Sequence, residues 1–316
     1  MVTSEELKDH FGDKIEENVL LRDFTSFGVG GVADYFFRAG TIEQMVDAIS
    51  FLSRQEIPYF VFGGGYNLVF SDMGFPGVVI KNEVKDIVFS QEKAEVIVSS
   101  GVPINQLLVE AASRDLGGLE FLFGIPGTIG GAVYGNAGAF GYSIGDFVKS
   151  VTIILPGNKA REAKIIRQNK GWLEFDYRTS KLKEFSKSHL SDNKPVILSL
   201  KIQLARSRKD VILHKMKENF STKKRTQPLD GKNAGCFFKN PGIQKEESAG
   251  FLLDKSGAKH LKIGDAIVSK KHANFIINRK NATADDIRRL AGLMKDLVRA
   301  EYRVNLEEEV EYVGKW

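Results

Sequence analysis

Residues 117–145, GGLEFLFGIPGTIGGAVYGNAGAFGYSIG, constrain this chain more than any other segment. Ten of these 29 residues are glycine, against an ordinary share of about 7%. Ile125, Ile129, Val133 and Phe140 interrupt the glycines, so the segment is not a flexible polar linker. Glycines spaced by apolar residues bring bare backbone close to something and leave N–H groups able to face it. Pro126 fixes one φ angle, and Thr128 and Asn136 add short polar side chains that bond locally or to a ligand. Glycine content alone leaves two readings level: a cradle for an anion such as a diphosphate, or a tight backbone corner of the β-solenoid kind. A second cluster, Gly63-Gly64-Gly65-Tyr66-Asn67-Leu68, follows the strand-like Tyr59-Phe60-Val61-Phe62 and tips the balance. Two phosphate cradles in one chain favour a dinucleotide.

A chain of 316 residues has room for two or three domains. Its 42% hydrophobic and 27% charged residues are the make-up of a globular protein with a sizeable core. No apolar run approaches the ~20 residues of a membrane span. The opening MVTSEELKDHFGDK is acidic where a signal peptide would be basic and then apolar. The single cysteine, Cys236, excludes an internal disulfide and a cysteine-cluster metal site. The histidines (His10, His189, His214, His260, His272) show no metal-ligand spacing. These features predict a cytoplasmic protein with no structural metal and no membrane partner. The net charge of +5 is scattered, with one dense run at Lys223-Lys224-Arg225 and no nucleic-acid-binding pattern. A multiply anionic small substrate suits that balance better than nucleic acid does.

Thr41-Ile42-Glu43-Gln44 is a capping box, and Ile42, Met45, Ile49 and Leu52 recur at helical spacing. Residues 57–62 and 77–80 read as strands. No amphipathic helix follows Gly65, because 71–77 is turn chemistry, so this is not a Rossmann fingerprint. A P-loop is excluded as well, since no glycine precedes Lys and Ser or Thr at the required spacing. Residues 95–99 read as a strand, and Pro103 begins a helix that Gly117 is placed to end. Strands follow at 147–155, 161–167 and 195–204, the first two joined by a Pro156-Gly157-Asn158 turn. A basic helix is predicted over 206–224 and a short one over 248–255, with Gly257 just past its end. Thr283 opens the last long helix, which carries Ile287, Leu290, Met294 and Leu297 on one face. Domain breaks are expected near 205 and 304.

Seven segments in order give a more specific signal: Gly63 to Leu68, Gly124-Ile125-Pro126-Gly127-Thr128-Ile129-Gly130-Gly131-Ala132, Asn136-Ala137-Gly138-Ala139-Phe140-Gly141, Tyr177-Arg178-Thr179-Ser180, Gly235-Cys236-Phe237-Phe238-Lys239-Asn240-Pro241, His272-Ala273-Asn274-Phe275, and Leu306-Glu307-Glu308-Glu309-Val310. Together they resemble the UDP-N-acetylenolpyruvoylglucosamine reductase family, flavoenzymes of peptidoglycan precursor synthesis. The resemblance implies an α+β protein with a two-lobed FAD-binding domain of the vanillyl-alcohol-oxidase/PCMH type. Lobe 1 would be 1–83 with 304–316, lobe 2 84–205, and a separate α+β substrate-binding domain 206–303. FAD contacts are expected from Gly63, Gly64, Gly65, Tyr66, Asn67 and Leu68. Further contacts are expected from Gly124, Ile125, Pro126, Gly127, Thr128, Gly130 and Gly131, and from Asn136, Gly138, Ala139 and Gly141. These segments hold neither His nor Cys, the residue types that tether flavins, so non-covalent FAD is predicted.

The implied reaction reduces the enolpyruvyl ether of a UDP-N-acetylglucosamine derivative to UDP-N-acetylmuramate, with NADPH reducing the flavin first. Negative charge builds on the carbon beside the carboxylate, and a fixed cation there stabilises the transition state preferentially. Arg178 supplies a permanent charge and a bidentate grip. Arginines usually end in surface ion pairs, and the Tyr177–Ser180 motif is what sets this one apart. Cys236 stands where the family usually has serine. A thiol with a pKa of about 8.5 is protonated at neutral pH and can donate; otherwise it is a small buried hydrophobe. Glu309, before Val310, is the expected third member, although three consecutive glutamates are often a solvated face. Lys239, Asn240 and Asn274 are expected substrate contacts, and His272 a structural histidine in the closing strand. The connection from Ser180 to Val196 is short, as in family forms that lack a tyrosine-bearing insertion. The expected partner is the UDP-sugar substrate, with no nucleic acid and no membrane; the sequence leaves the oligomeric state open, a monomer being compatible. The competing readings are an FAD-dependent sugar or lactone oxidase on the same fold, and a non-catalytic FAD-binding protein.

Overall fold

A computed structural model of the protein describes residues 4–188 and 194–316. His189 and part of the short connection to Val196 lie outside the described residues. The chain divides into two compact units, each assembled from separate segments. The first takes Met1–Glu17, Tyr35–Gly64 and Gly77–Ser221; the second takes Asn18–Asp34, Gly65–Pro76 and Thr222–Trp316.

The first unit is built mainly on two larger sheets with their helices. One sheet has the order Ile15–Leu20, Val32–Ala39, Phe75–Asn82, Tyr59–Phe62, with the last two parallel. A parallel pair needs a crossover, and here the chain also leaves for the second unit between the two strands. The helix Ile42–Arg54 starts as its sequence dictates: Thr41 Oγ1 accepts the Gln44 N–H at 3.2 Å. Gln44 Oε1 reaches back one residue further than a capping box requires, to Gly40 N. Met45, Ile49 and Leu52 are buried against Phe37, Val78 and Ile80.

The other sheet is antiparallel, in the order Lys164–Asn169, Val148–Leu155, Val196–Gln203, Glu95–Ser99, Ile87–Ser90. Its buried face (Val96, Val98, Val151, Ile153, Leu200, Ile202) packs with Leu107, Leu108 and Ala111 of the helix Ile104–Ala112. Pro103 is the N-cap of that helix, one residue earlier than expected. Gly117 does not end it. The helix stops at Ala112, Asp115 takes the left-handed φ of +55°, and Gly117 pairs with Ala205 in a two-residue ladder. A Cβ at Gly117 would collide with Glu120 Oε1, which is why glycine stands there. The basic helix runs Lys209–Thr226, and its Ile212 and Met216 join the same core.

In the second unit Lys262–Ile263, Ala266–Val268 and Ile276–Asn278 form an antiparallel sheet, and Glu311–Val313 runs parallel to Leu68–Phe70. The strand Leu68–Phe70 and a turn follow Gly65, with no helix, as the sequence indicated. Helix Ala249–Lys255 is capped by Ser248 and followed by Gly257 at φ +77°. Helix Ala284–Tyr302 opens with a full Thr283/Asp286 capping box. Asp72 adds a carboxylate at the same end, accepting the Ala284 and Asp285 N–H groups at 2.9 and 3.0 Å, where the helix dipole favours negative charge. Ile287, Leu290 and Met294 are buried with Phe27, Phe237 and Phe238. No described helix is long and apolar enough to cross a membrane. Among the described residues no cluster of His, Cys, Asp or Glu could hold a metal.

Candidate active site

The two glycine clusters meet in the first unit. A Cβ at Gly63 would collide with Thr128 Oγ1, so glycine is what lets the clusters touch. Thr128 caps the short helix Ile129–Tyr134, which lies inside the glycine-rich segment. The segment is pinned by Ile104 N to Gly127 O at 3.0 Å and Gly130 N to Ser100 O at 2.8 Å. A Cβ at Gly130 would stand 2.7 Å from that of Ser100, closer than two such carbons pack. Gly131 and Gly135 are different. Neither has a positive φ, and their added Cβ atoms would meet nothing nearer than 3.6 and 3.7 Å. Internal packing does not require glycine at these two positions, where a Cβ would make only ordinary contacts, and bare backbone there fits a bound group laid against it. The cradle suits FAD.

Gly65, Tyr66 and Asn67 belong to the second unit. Gly65 has φ +68°, and a Cβ there would run into Phe24 O. Asn67 reaches the C-terminal segment: its Nδ2 donates to Glu309 O at 3.0 Å, and its carbonyl accepts Glu311 N at 3.0 Å.

Arg178 is half-buried, in a turn closed by Thr179 N donating to Asp176 O at 3.2 Å. It has φ +55°, the sign a type II turn demands at its third position and one that Gly or Asn usually supplies. Holding an arginine there costs on the order of 1 kcal/mol. Two ties fix the turn. Asn136 Nδ2 donates to Asp176 O at 2.9 Å, and Ser180 Oγ donates to Tyr134 O at 2.7 Å. The guanidinium carbon lies 5.8 Å from the Tyr177 ring centroid.

The segments that carry Cys236 and Glu309 run side by side in the second unit. Glu309 N donates to Phe237 O and Lys239 N to Glu307 O, both at 2.8 Å, with Phe238 bridging Glu308 antiparallel. The backbone of the cysteine segment is therefore laced to that of the glutamates. On its other side Phe237 N donates to Asn274 O at 2.8 Å. The Asn274 amide accepts Phe238 N at 2.9 Å and donates to Phe238 O at 2.8 Å. Cys236 is half-buried between Gly235, whose N–H is held by Asn233 Oδ1, and the fully buried Phe237 and Phe238.

The expected substrate contacts differ in availability. Lys239 Nζ pairs with Glu307 at 2.7 Å. Asn240 Oδ1 accepts Ala249 N at 3.2 Å. Asn274 is only 1% exposed, and both ends of its amide hold Phe238, which puts it behind the ladder. His272 lies in the turn before Ile276–Asn278 and not in the strand, because Ser269 Oγ accepts the His272 N–H and His272 Nδ1 accepts the Asn274 N–H there. Burial, then the charge of Lys259, push its pKa below the usual imidazole value. The ties made by Asn67 and Asp72, and the reach of Asn136 as far as Asp176, are not among the sequence expectations. Their only sequence signal was asparagine or aspartate within or beside glycine-rich turns, where such side chains bond backbone.

Residues 33–164 match a family model described as FAD binding domain, and residues 227–313 one described as UDP-N-acetylenolpyruvoylglucosamine reductase, C-terminal domain. The UDP-N-acetylenolpyruvoylglucosamine reductase of Protochlamydia amoebophila is 38% identical, over 95% of this chain and 94% of its own length. That of Clostridium novyi is 35% identical, over 96% and 93%. The crystal structure of the Thermus caldophilus reductase superposes with a TM-score of 0.76 at 34% identity, covering 94% of this chain and 98% of that one. With an FAD-binding domain, a matching C-terminal domain and full-length relatives of this similarity, the chain belongs to the UDP-N-acetylenolpyruvoylglucosamine reductase family.

Proposed function

We propose that Arg178, Cys236 and Glu309 carry the reduction of an enolpyruvyl ether of UDP-N-acetylglucosamine in the cytoplasm, using electrons from NADPH by way of non-covalently held FAD. Residues 63–68, 124–131 and 138–141 would hold the FAD, which when bound supplies the two-electron reducing chemistry that the alkene needs. The Arg178 guanidinium holds the substrate carboxylate and the charge that flows into it, acting mainly in the transition state. Cys236 gives its S–H proton to the carbon beside that carboxylate and recovers one from solvent afterwards. Glu309 orients the reacting carboxyl end, and Phe237 and Phe238 keep water from the thiol's flank.

The backbone ladder that ties Phe237, the neighbour of Cys236, to Glu309 carries this reading, because it joins segments 72 positions apart in sequence (309 − 237). NADPH oxidation that depends on the enolpyruvyl substrate is the expected result. Oxygen consumption with simple sugars, without that dependence, would favour an oxidase instead.

A further inference from the structure

We infer that Asn136 is a positioning residue for Arg178, and through it for the substrate carboxylate, and not a contact to the cofactor. The inference rests on the reading of Arg178 given above. Asn136 lies in a glycine-rich segment whose neighbours suit FAD, but its own amide faces elsewhere. Its Nδ2 donates to Asp176 O at 2.9 Å, and its Oδ1 accepts Gly145 N at 3.0 Å. A carbonyl on one side and an N–H on the other fix which way the amide points, since a flip would set oxygen against oxygen. The residue is 7% exposed, and both ends of the amide are spent on backbone.

The turn it grips needs a grip. Arg178 keeps φ +55°, a conformation that persists in a non-glycine residue only where the surroundings over-determine it. Asp176 O receives two donors, Thr179 N from within the turn and Asn136 from outside. At the far end, fully buried Ser180 donates to Tyr134 O. Both ends of the arginine turn are thus tied to the helix Ile129–Tyr134, one to its last residue and the other to Asn136, two residues further on. Asn136 itself has φ +44°, which asparagine tolerates better than most residues. Without its amide the turn is held at one end only, and the guanidinium is free to leave the position where charge develops.

Asn136→Gly keeps the left-handed backbone and removes the amide. Asn136→Asp keeps the acceptor for Gly145 but turns an oxygen toward Asp176 O. Each is measured as FAD-loaded enzyme, by FAD dissociation constant from flavin fluorescence and by single-turnover product formation from pre-reduced enzyme. Both variants should slow the substrate step between about tenfold and a hundredfold, with FAD affinity within about twofold of wild type. In an Arg178→Ala background Asn136→Gly should add almost nothing, because the group it positions is gone. FAD affinity that falls tenfold with the substrate step intact, losses that multiply in the double variant, or a wild-type rate for Asn136→Gly would each overturn the inference. Should the Asn136 variants fail to fold, Ser180→Ala, which cuts the other tie, is judged by the same criteria. An Arg178→Ala enzyme at wild-type rate would sink the catalytic reading of Arg178 and this inference with it; a slow Arg178→Ala beside an unaffected Asn136→Gly would sink the inference alone.

Discussion

Asn67 grips the backbone on both sides of Val310, its side-chain nitrogen bonded to Glu309 O and its carbonyl to Glu311 N, each at 3.0 Å. A residue of the first glycine cluster thereby sets where Glu309 begins. Asn67→Ala should destabilise the protein by about 1 kcal/mol, the worth of one such bond, and lower kcat, slowing flavin reoxidation by the substrate more than flavin reduction by NADPH. Chemical denaturation and the two half-reactions, followed separately, check this.

Cys236 tests the proton donor directly. Cys236→Ser should keep turnover within about tenfold of wild type, because a hydroxyl at that place can also donate. Cys236→Ala should lose between about a hundredfold and ten-thousandfold, the span of general acid catalysis. Steady-state kinetics on the three proteins suffices, and equal losses in Ser and Ala would remove Cys236 from the mechanism.

Gly63 and Gly131 separate packing from cofactor binding. Gly63→Ala drives a methyl into Thr128 Oγ1, and such overpacking costs roughly 1–3 kcal/mol. It should lower both the melting temperature and the bound FAD per chain. Gly131→Ala meets nothing nearer than 3.6 Å and replaces a helical glycine, so stability without FAD should hold or rise. Its FAD affinity should nevertheless fall. Thermal melts of FAD-free protein and fluorescence titration with FAD distinguish the two.

Glu95 makes the fold sensitive to acid. Hydrogen bonds from Lys149 and then Lys201, with their charges, hold its carboxyl down to about 2. A carboxyl depressed on folding stabilises above its unfolded pKa, and that contribution disappears as pH falls through the folded value. Stability measured by urea unfolding should therefore drop between about pH 4.5 and 2, and less steeply in Glu95→Gln.

Local rules made the helices legible. The Thr41 and Thr283 caps, Ser248 before Ala249 and Gly257 after Lys255 all stand where the sequence put them. Strands that alternate or run apolar, such as Val148–Leu155 and Val196–Gln203, were found to within two residues. Ile15–Leu20 and Val32–Ala39 were not, because charged residues break their pattern while sheet neighbours on both sides of Val32–Ala39 supply what periodicity does not. The six-residue helix Ile129–Tyr134 was hidden by its own two glycines. At the site, the residue types were readable from motifs, but their ties were not. A bond such as Asn67 to Glu309 spans 242 positions, and nothing local to either residue announces it. Gly117 misled for a related reason: it is glycine because Glu120 and Ile212 crowd it, not because a helix ends there.

The central claim is that the Arg178 cation holds the charge that arrives on the substrate carboxylate. It is tested most directly by mixing pre-reduced, FAD-loaded enzyme with the enolpyruvyl sugar nucleotide in the absence of oxygen and timing flavin reoxidation. Arg178→Ala should slow that single turnover by a hundredfold or more, roughly the loss seen when one preorganised charge-stabilising donor is removed, while reduction by NADPH proceeds unchanged. Reoxidation at the wild-type rate in Arg178→Ala would contradict the account.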